Sequence, residues 1–253
     1  MPRLLPVTVF LTATVALLAS ASPASAQRFG FGNAGQVQAL SVGYYVIDFE
    51  FDGDGEPAFL FNFDQPAYGV VYSRPNILIT GALGEQSADD DHESLRLIEL
   101  SLTTWGELYL SGLGSPSTRV YIPIVLYTHY RRVEARGDEG GSLDDFNVTV
   151  IGIGGGLGLG RAFGDNILFE ARTQPVIGLA SSAFADAFGS SYLVDADVQL
   201  HLARLFSKVG LSLGYTYRWQ VWNVNTSNLF PDETDNLFDY RGQQHLFRVG
   251  LNW

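Results

Sequence analysis

Around His92 the chain reads DDDHESLRL, which puts Asp90, Asp91 and Ser94 within two residues of an imidazole. A serine nucleophile needs a base within hydrogen-bond reach and a third group that orients the base. Residues adjacent in an acidic run do not converge in that way, so the expected state of this segment is a solvated loop. His129, in THYRR, and His201, in VQLHLAR, are the other candidates for chemistry. They fall near opposite ends of the segments that carry them. They therefore cannot share a metal or a triad, and each reads as a hydrogen-bonded interior or rim side chain.

Four carboxylates, Glu99, Glu170, Asp195 and Asp197, could supply a general acid and a general base if one cavity held two of them. Four arginines, Arg131, Arg172, Arg218 and Arg248, recur in segments of the same pattern. Carboxylates and guanidiniums at similar depth in a narrow interior pair most economically, so the expectation is a salt-bridge network that fills the space. A narrow path for small solutes or ions is the second reading. No catalytic residues, no cofactor and no metal site are expected. EFDGDGE places Glu50, Asp52, Asp54 and Gly55 at calcium-loop spacing, but the twelfth position is Phe61 rather than Glu. Divalent cations at acidic loops are the most this motif supports. In IGIGGGLGLG no register fits the dinucleotide fingerprint G-x-G-x-x-G.

The elements that must position these residues are strands. Period two dominates the chain. Ile151, Ile153, Leu157 and Leu159 share one face, and Gly152, Gly154, Gly156 and Gly158 the other. Tyr192, Val194, Ala196, Val198 and Leu200 oppose Leu193, Asp195, Asp197, Gln199 and His201. Alternating runs cover approximately 36–49, 67–73, 77–85, 94–106, 119–133, 147–160, 167–177, 191–203, 208–222 and 243–253. That is about ten strands, with eight or twelve as alternatives. Glu107 to Thr118 could be one long turn or a pair of strand extensions.

The runs reach ten residues or more, one face is apolar and aromatic, and the other is charged, polar or glycine. A soluble sandwich would have shorter strands. Long strands with an oily face and a charged one fit an all-β, antiparallel up-and-down transmembrane barrel, apolar outside and polar within. Tyr44, Tyr45, Tyr127, Tyr130, Tyr215, Tyr217, Trp219 and Trp222 then read as interfacial belts. The inward glycines make room for bulky lumen side chains across the barrel.

Composition narrows the class further. There are no cysteines, which excludes a disulfide scaffold and thiol chemistry. A net charge of −12 excludes a phosphate-binding surface, so no nucleic-acid partner is expected. The first 26 residues carry Arg3, an apolar stretch from Leu4 to Ala19 and the small-residue end Ala24-Ser25-Ala26, the pattern of a cleaved secretory signal peptide. Residues 27–253 are then a single barrel domain. The connections at Tyr72–Asn76, Arg161–Asn166 and Arg204–Lys208 are short and basic, and those around Asp54, Asp90, Asp144 and Asp235 are long and acidic. This asymmetry predicts the acidic loops outside the cell and both termini on the periplasmic side.

Taken as a whole, residues 27–253 resemble a Gram-negative-type outer-membrane β-barrel protein, of the small porin-like class. Phe247, Val249, Leu251 and the terminal Trp253 resemble the C-terminal signal read by the barrel-assembly machinery in that class. The resemblance implies outer-membrane lipid and that machinery as partners. His92 and Ser94 are similar in spacing to the His-x-Ser of outer-membrane phospholipases, but Leu95-Arg96 stand where that family has Asn-Gly. Asp90 and Asp91 beside His92 are superficially similar to the acid and histidine pairs of outer-membrane aspartyl-type proteases. A structural or surface-presenting, non-enzymatic barrel is the resulting expectation.

Overall fold

A computed structural model describes residues 37–253, apart from 54–58, 88–93, 111–116, 137–145, 165, 183–186, 207 and 226–237. His92, Asp90 and Asp91, most of the acidic loop residues and the whole of 1–26 lie outside the described residues.

Twelve strands are described, in chain order β1 (Ala39–Gly53), β2 (Phe59–Phe63), β3 (Pro66–Arg74), β4 (Ile77–Ser87), β5 (Ser94–Tyr109), β6 (Thr118–Arg136), β7 (Phe146–Gly155), β8 (Leu157–Phe163), β9 (Ile167–Ser182), β10 (Ala187–Phe206), β11 (Val209–Asn225) and β12 (Phe238–Asn252). Each pairs antiparallel with its neighbours, and β12 pairs with both β11 and β1, which closes the sheet into a barrel. β2 and β3 keep a single register against β1, and β7 and β8 keep one against both β6 and β9. Each of these pairs is one stave nominally interrupted, so the wall has ten staves, in agreement with the count of alternating runs.

The strands close because no edge is left. In a bilayer an unpaired backbone N–H or C=O has no water to bond, and a closed barrel satisfies them all. The last residue shares in this. The Trp253 amide donates to the Gln38 carbonyl at 3.0 Å, and the Gln38 amide donates to the Trp253 carbonyl at 3.2 Å. The chain alternates to its end because that end is sewn into the seam.

Side-chain polarity is inverted relative to a soluble fold. Val42, Tyr68, Ile153, Ile177 and Leu251 are exposed on the outer face, while Glu99, Asp195, Arg131 and Gln220 are buried inside. At the end that carries Gln38 and Trp253 the β3–β4 and β8–β9 connections are short. Between β3 and β4, Pro75 and Asn76 form the turn, with Asn76 at φ 68°, and a left-handed second residue after proline is what a type II turn requires. At the end of β8, Gly164 takes a left-handed φ of 65°, which glycine adopts without steric cost.

Of the two readings of Glu107 to Thr118, strand extension holds at both ends: β5 runs on to Tyr109 and β6 starts at Thr118, with Tyr109 opposite Tyr121. Two expectations need correction. Tyr45, Tyr127 and Trp222 are not belt residues. Strict alternation places Tyr45 opposite in facing to Tyr44, and gives Tyr127 the facing of Arg131 and Trp222 that of Arg218. All three are buried in the lumen. The bulk that the glycines admit also comes from a neighbouring strand rather than from across the barrel. A Cβ on Gly158 would collide with the Tyr121 ring, and one on Gly160 with the Arg119 side chain, each being its partner in the β6–β8 ladder.

Candidate functional site

Buried side chains lie inside the barrel in layers. At the end away from Gln38 and Trp253 four rings pack into an aromatic cap. Trp222 stacks on Tyr240 with centroids 3.9 Å apart, Tyr240 lies 5.3 Å from Phe49, and Phe49 stacks on Phe63 at 5.6 Å. These residues come from β11, β12, β1 and β2, whose inward positions at this level are all large rings. Such a cap buries several hundred Å² of ring surface in one place.

Directly beneath it sits Arg131, fully buried, its guanidinium 4.8 Å from the Phe49 ring centroid and 5.2 Å from that of Tyr240. Its charge is met by Glu99, the cross-strand neighbour on β5, at 2.7 Å. Glu99 also lies 3.5 Å from Arg218 and 3.5 Å from His129 Nε2. Arg218 in turn makes a two-pronged contact with Asp195, at 2.9 Å and 3.1 Å. The fork of the guanidinium matches the two carboxylate oxygens, the geometry in which Arg pairs most strongly. Two acids and two arginines thus form one chain of pairs across the barrel.

The next layer is centred on Asp197. Arg248 donates to it at 2.6 Å, Thr216 at 2.7 Å and Gln199 at 2.8 Å, with Arg172 at 3.7 Å. Arg172 lies flat over Trp105 at 3.7 Å from the ring centroid. Toward the termini, Arg119 pairs with Glu170 and stands 3.7 Å from Glu107. His201 reaches Glu170 at 3.7 Å and holds the Ser212 hydroxyl at 2.6 Å through Nδ1. Asn252 donates to the same hydroxyl at 3.0 Å. Serine, imidazole and carboxylate do line up here, but Ser212 is only 5 % exposed and its oxygen is already engaged by the Asn252 amide.

All eight charged residues of the expected network therefore lie inward or within an ion pair, in three groups rather than one: Glu99, Arg131, Asp195 and Arg218; Asp197, Arg172 and Arg248; and Glu170. The partner of Glu170 is Arg119, which lies in the alternating run 119–133 with the facing of Arg131 but was not counted among the inward charges. Trp105, in the run 94–106, was passed over as well, and Glu107 falls in the segment left open between a turn and strand extensions. His129 and His201 are at opposite levels, in different groups. Phe247, Val249, Leu251 and Trp253 share the outer face and are exposed. Among the described residues no cluster of His, Cys, Asp or Glu could hold a metal ion.

A closed antiparallel sheet with an apolar exterior and a charged interior defines an outer-membrane-type β-barrel. No protein-family model matches the chain, and no curated protein matches it by sequence. Solved structures with a similar shape are the outer-membrane protease OmpT of Escherichia coli (11 % identity, 86 % of this chain and 96 % of that one, TM-score 0.47), the attachment invasion locus protein Ail of Yersinia pestis (10 %, 86 % and 99 %, 0.29) and Neisserial surface protein A (12 %, 83 % and 96 %, 0.26). The account of the fold rests on this chain's own strand pairing and inverted polarity.

Proposed function

We propose that the protein is a non-conducting, non-enzymatic scaffold barrel of a Gram-negative-type outer membrane, which holds long acidic loops at the cell surface. What supports this reading is the packing of the interior side chains: an aromatic cap stands over three groups of paired charges, most of them buried, and in this reading they leave no continuous water column. A ten-stave barrel is also of the size at which side chains can fill the interior, well short of the sixteen or so strands of open porins. In this reading residues 1–26 direct export, Trp253 and the apolar residues before it are read by the barrel-assembly machinery, and the hairpin end lies in the periplasm. The acidic loops then face outward, where they attract divalent cations weakly.

Single-channel recording in a planar bilayer tests the proposal, with a heat-modifiability gel to show that the refolded protein is a barrel. Folded protein is expected to pass no discrete current steps. Steps from folded protein would replace the scaffold with the narrow-channel reading.

A further inference from the structure

The wall carries two prolines where a closed sheet has no ready place for them. Of the four prolines among the described residues, Pro66 opens β3 and Pro75 sits in the β3–β4 turn, but Pro123 lies inside β6 and Pro175 inside β9. A proline brings no N–H to a ladder, so in sheets it is confined to edges, first residues and bulges. A barrel has no edge.

The stave between β6 and β9 is β7 followed by β8, and it meets both prolines at one place. Against β6 the pairing runs as far as Ile124 opposite Gly155 and resumes, in the same register, at Tyr121 opposite Gly158. Against β9 it stops at Gly154 opposite Val176 and resumes, again in register, at Leu157 opposite Thr173. Carried through the gaps, these registers set Gly156 opposite Pro123 and Gly155 opposite Pro175. Along an antiparallel strand, successive residues turn their N–H and C=O to opposite neighbours. Each gap is the one that a missing proline N–H leaves. Gly155 therefore turns its carbonyl to Pro175 and Gly156 turns its own to Pro123, and two consecutive carbonyls lack their ladder donors.

Nothing at this height replaces the lost bonds. Among the described residues no side chain, and no amide outside the ladders, bonds to Gly155 or Gly156. Ile122, Ile124, Ile153, Leu157 and Ile177 surround the place on the outer face and are exposed, so in a bilayer no water reaches it from that side. The break between β2 and β3 differs, since there the Asp64 amide donates to the Gln86 side chain at 3.0 Å on the exposed surface. The backbone at the proline site is also loose, because Gly154, Gly155 and Gly156 follow one another and glycine loses the most freedom on being fixed.

We infer that the Gly155–Gly156 junction is a built-in hinge of the wall, at which β7 and β8 part from Pro123 and Pro175 and reclose while the other staves stay zipped. Segments with few bonds open at the lowest cost. Opening here forfeits less than it would along β10 and β11, whose shared ladder runs unbroken from Phe188 opposite Asn225 to Leu202 opposite Leu211. The inference rests on strand pairing and not on the scaffold role, so a conducting barrel would leave it standing.

Amide exchange in heavy water, followed by nuclear magnetic resonance of the refolded barrel, tests the hinge residue by residue. The reference is Tyr215 to Tyr217 of β11, paired without a gap on both sides. The Gly155, Gly156 and Leu157 amides are expected to exchange at least about tenfold faster than the reference, the factor that one or two absent bonds of ordinary net strength provide. Dilute urea should leave their rate unchanged, as local opening requires. Pro123→Val with Pro175→Val returns an N–H to each ladder and should bring the three amides down to the reference rate. Pro175→Val alone, at an exposed outward position, should slow them in part, and it serves if the double variant does not run as a folded barrel on a heat-modifiability gel. Wild-type exchange as slow or as urea-sensitive as that of β11 would overturn the inference. Fast exchange that the restored N–H groups leave unchanged would overturn it too, since the glycine run alone would then be the cause.

Discussion

Glu99 is buried among two guanidiniums and an imidazole, and its removal is felt by all of them. Breaking a buried ion pair from one side leaves an uncompensated charge, which costs about 3–5 kcal/mol, whereas replacing both partners with apolar groups is often neutral. Glu99→Leu should therefore lower the stability of the refolded barrel by about that amount in urea unfolding. Glu99→Leu with Arg131→Met should recover most of the loss, because Arg218 keeps Asp195 and Arg131 no longer sits unpaired beneath the aromatic cap. A double variant as unstable as the sum of its parts would show that the two residues act independently. The inward facing of Glu99, Arg131, Asp195 and Arg218 was legible in the sequence, since facing follows from parity alone, but which of them pair was not, because that depends on the strand register. The contact of Arg218 with Glu99, between residues 119 apart, was not. It depends on how far the ladder shears before the barrel closes, and no local pattern encodes that.

At the scale of the strand, the glycine run of β7 and β8 is a fitted surface. Gly158 leaves room for the Tyr121 ring, and the Arg119 side chain that pairs with Glu170 lies over Gly160. Gly158→Ala forces the ring from its place, and overpacking of this kind costs about 1–3 kcal/mol. Gly106 on β5 faces outward with nothing within 4 Å of its missing Cβ, so Gly106→Ala should change stability by less than about 0.5 kcal/mol. Urea midpoints of the two variants separate a packing role for the glycines from a general tolerance. The seam between β1 and β12 gives a second expectation at this scale. Deleting Trp253 removes the two backbone bonds to Gln38 and, in the proposed reading, the final residue of the assembly signal. Refolding in detergent should survive with a small loss of stability, while the amount of assembled barrel in cells should fall severalfold on a heat-modifiability blot. Equal losses in both assays would mean that Trp253 acts only through the seam. The strands themselves were readable because period two persists over long runs. The extension from Glu107 to Tyr109 was left open against a turn, because there the pattern gives way to acidic and aromatic residues that suit either.

For the molecule as a whole, occlusion is redundant. In the proposed reading the aromatic cap, the Glu99 layer and the Asp197 layer block the lumen at successive depths, with β11 contributing to all three. Trp222→Ala removes the largest ring of the cap, and truncation of a buried tryptophan costs about 3–5 kcal/mol, yet Arg131, Arg218 and Asp197 remain with their partners beneath it. The variant is therefore expected to be less stable and still silent in a planar bilayer. Current should require loss of both charge layers as well as the cap, and a barrel stripped of so many paired groups would approach the limit of folding. If Trp222→Ala alone produced discrete steps, the two lower layers would have to be permeable as built. The paired carboxylates and guanidiniums would then line a conducting path rather than fill one, and the cap would be a gate whose position on the loop side puts it within reach of whatever the acidic loops bind.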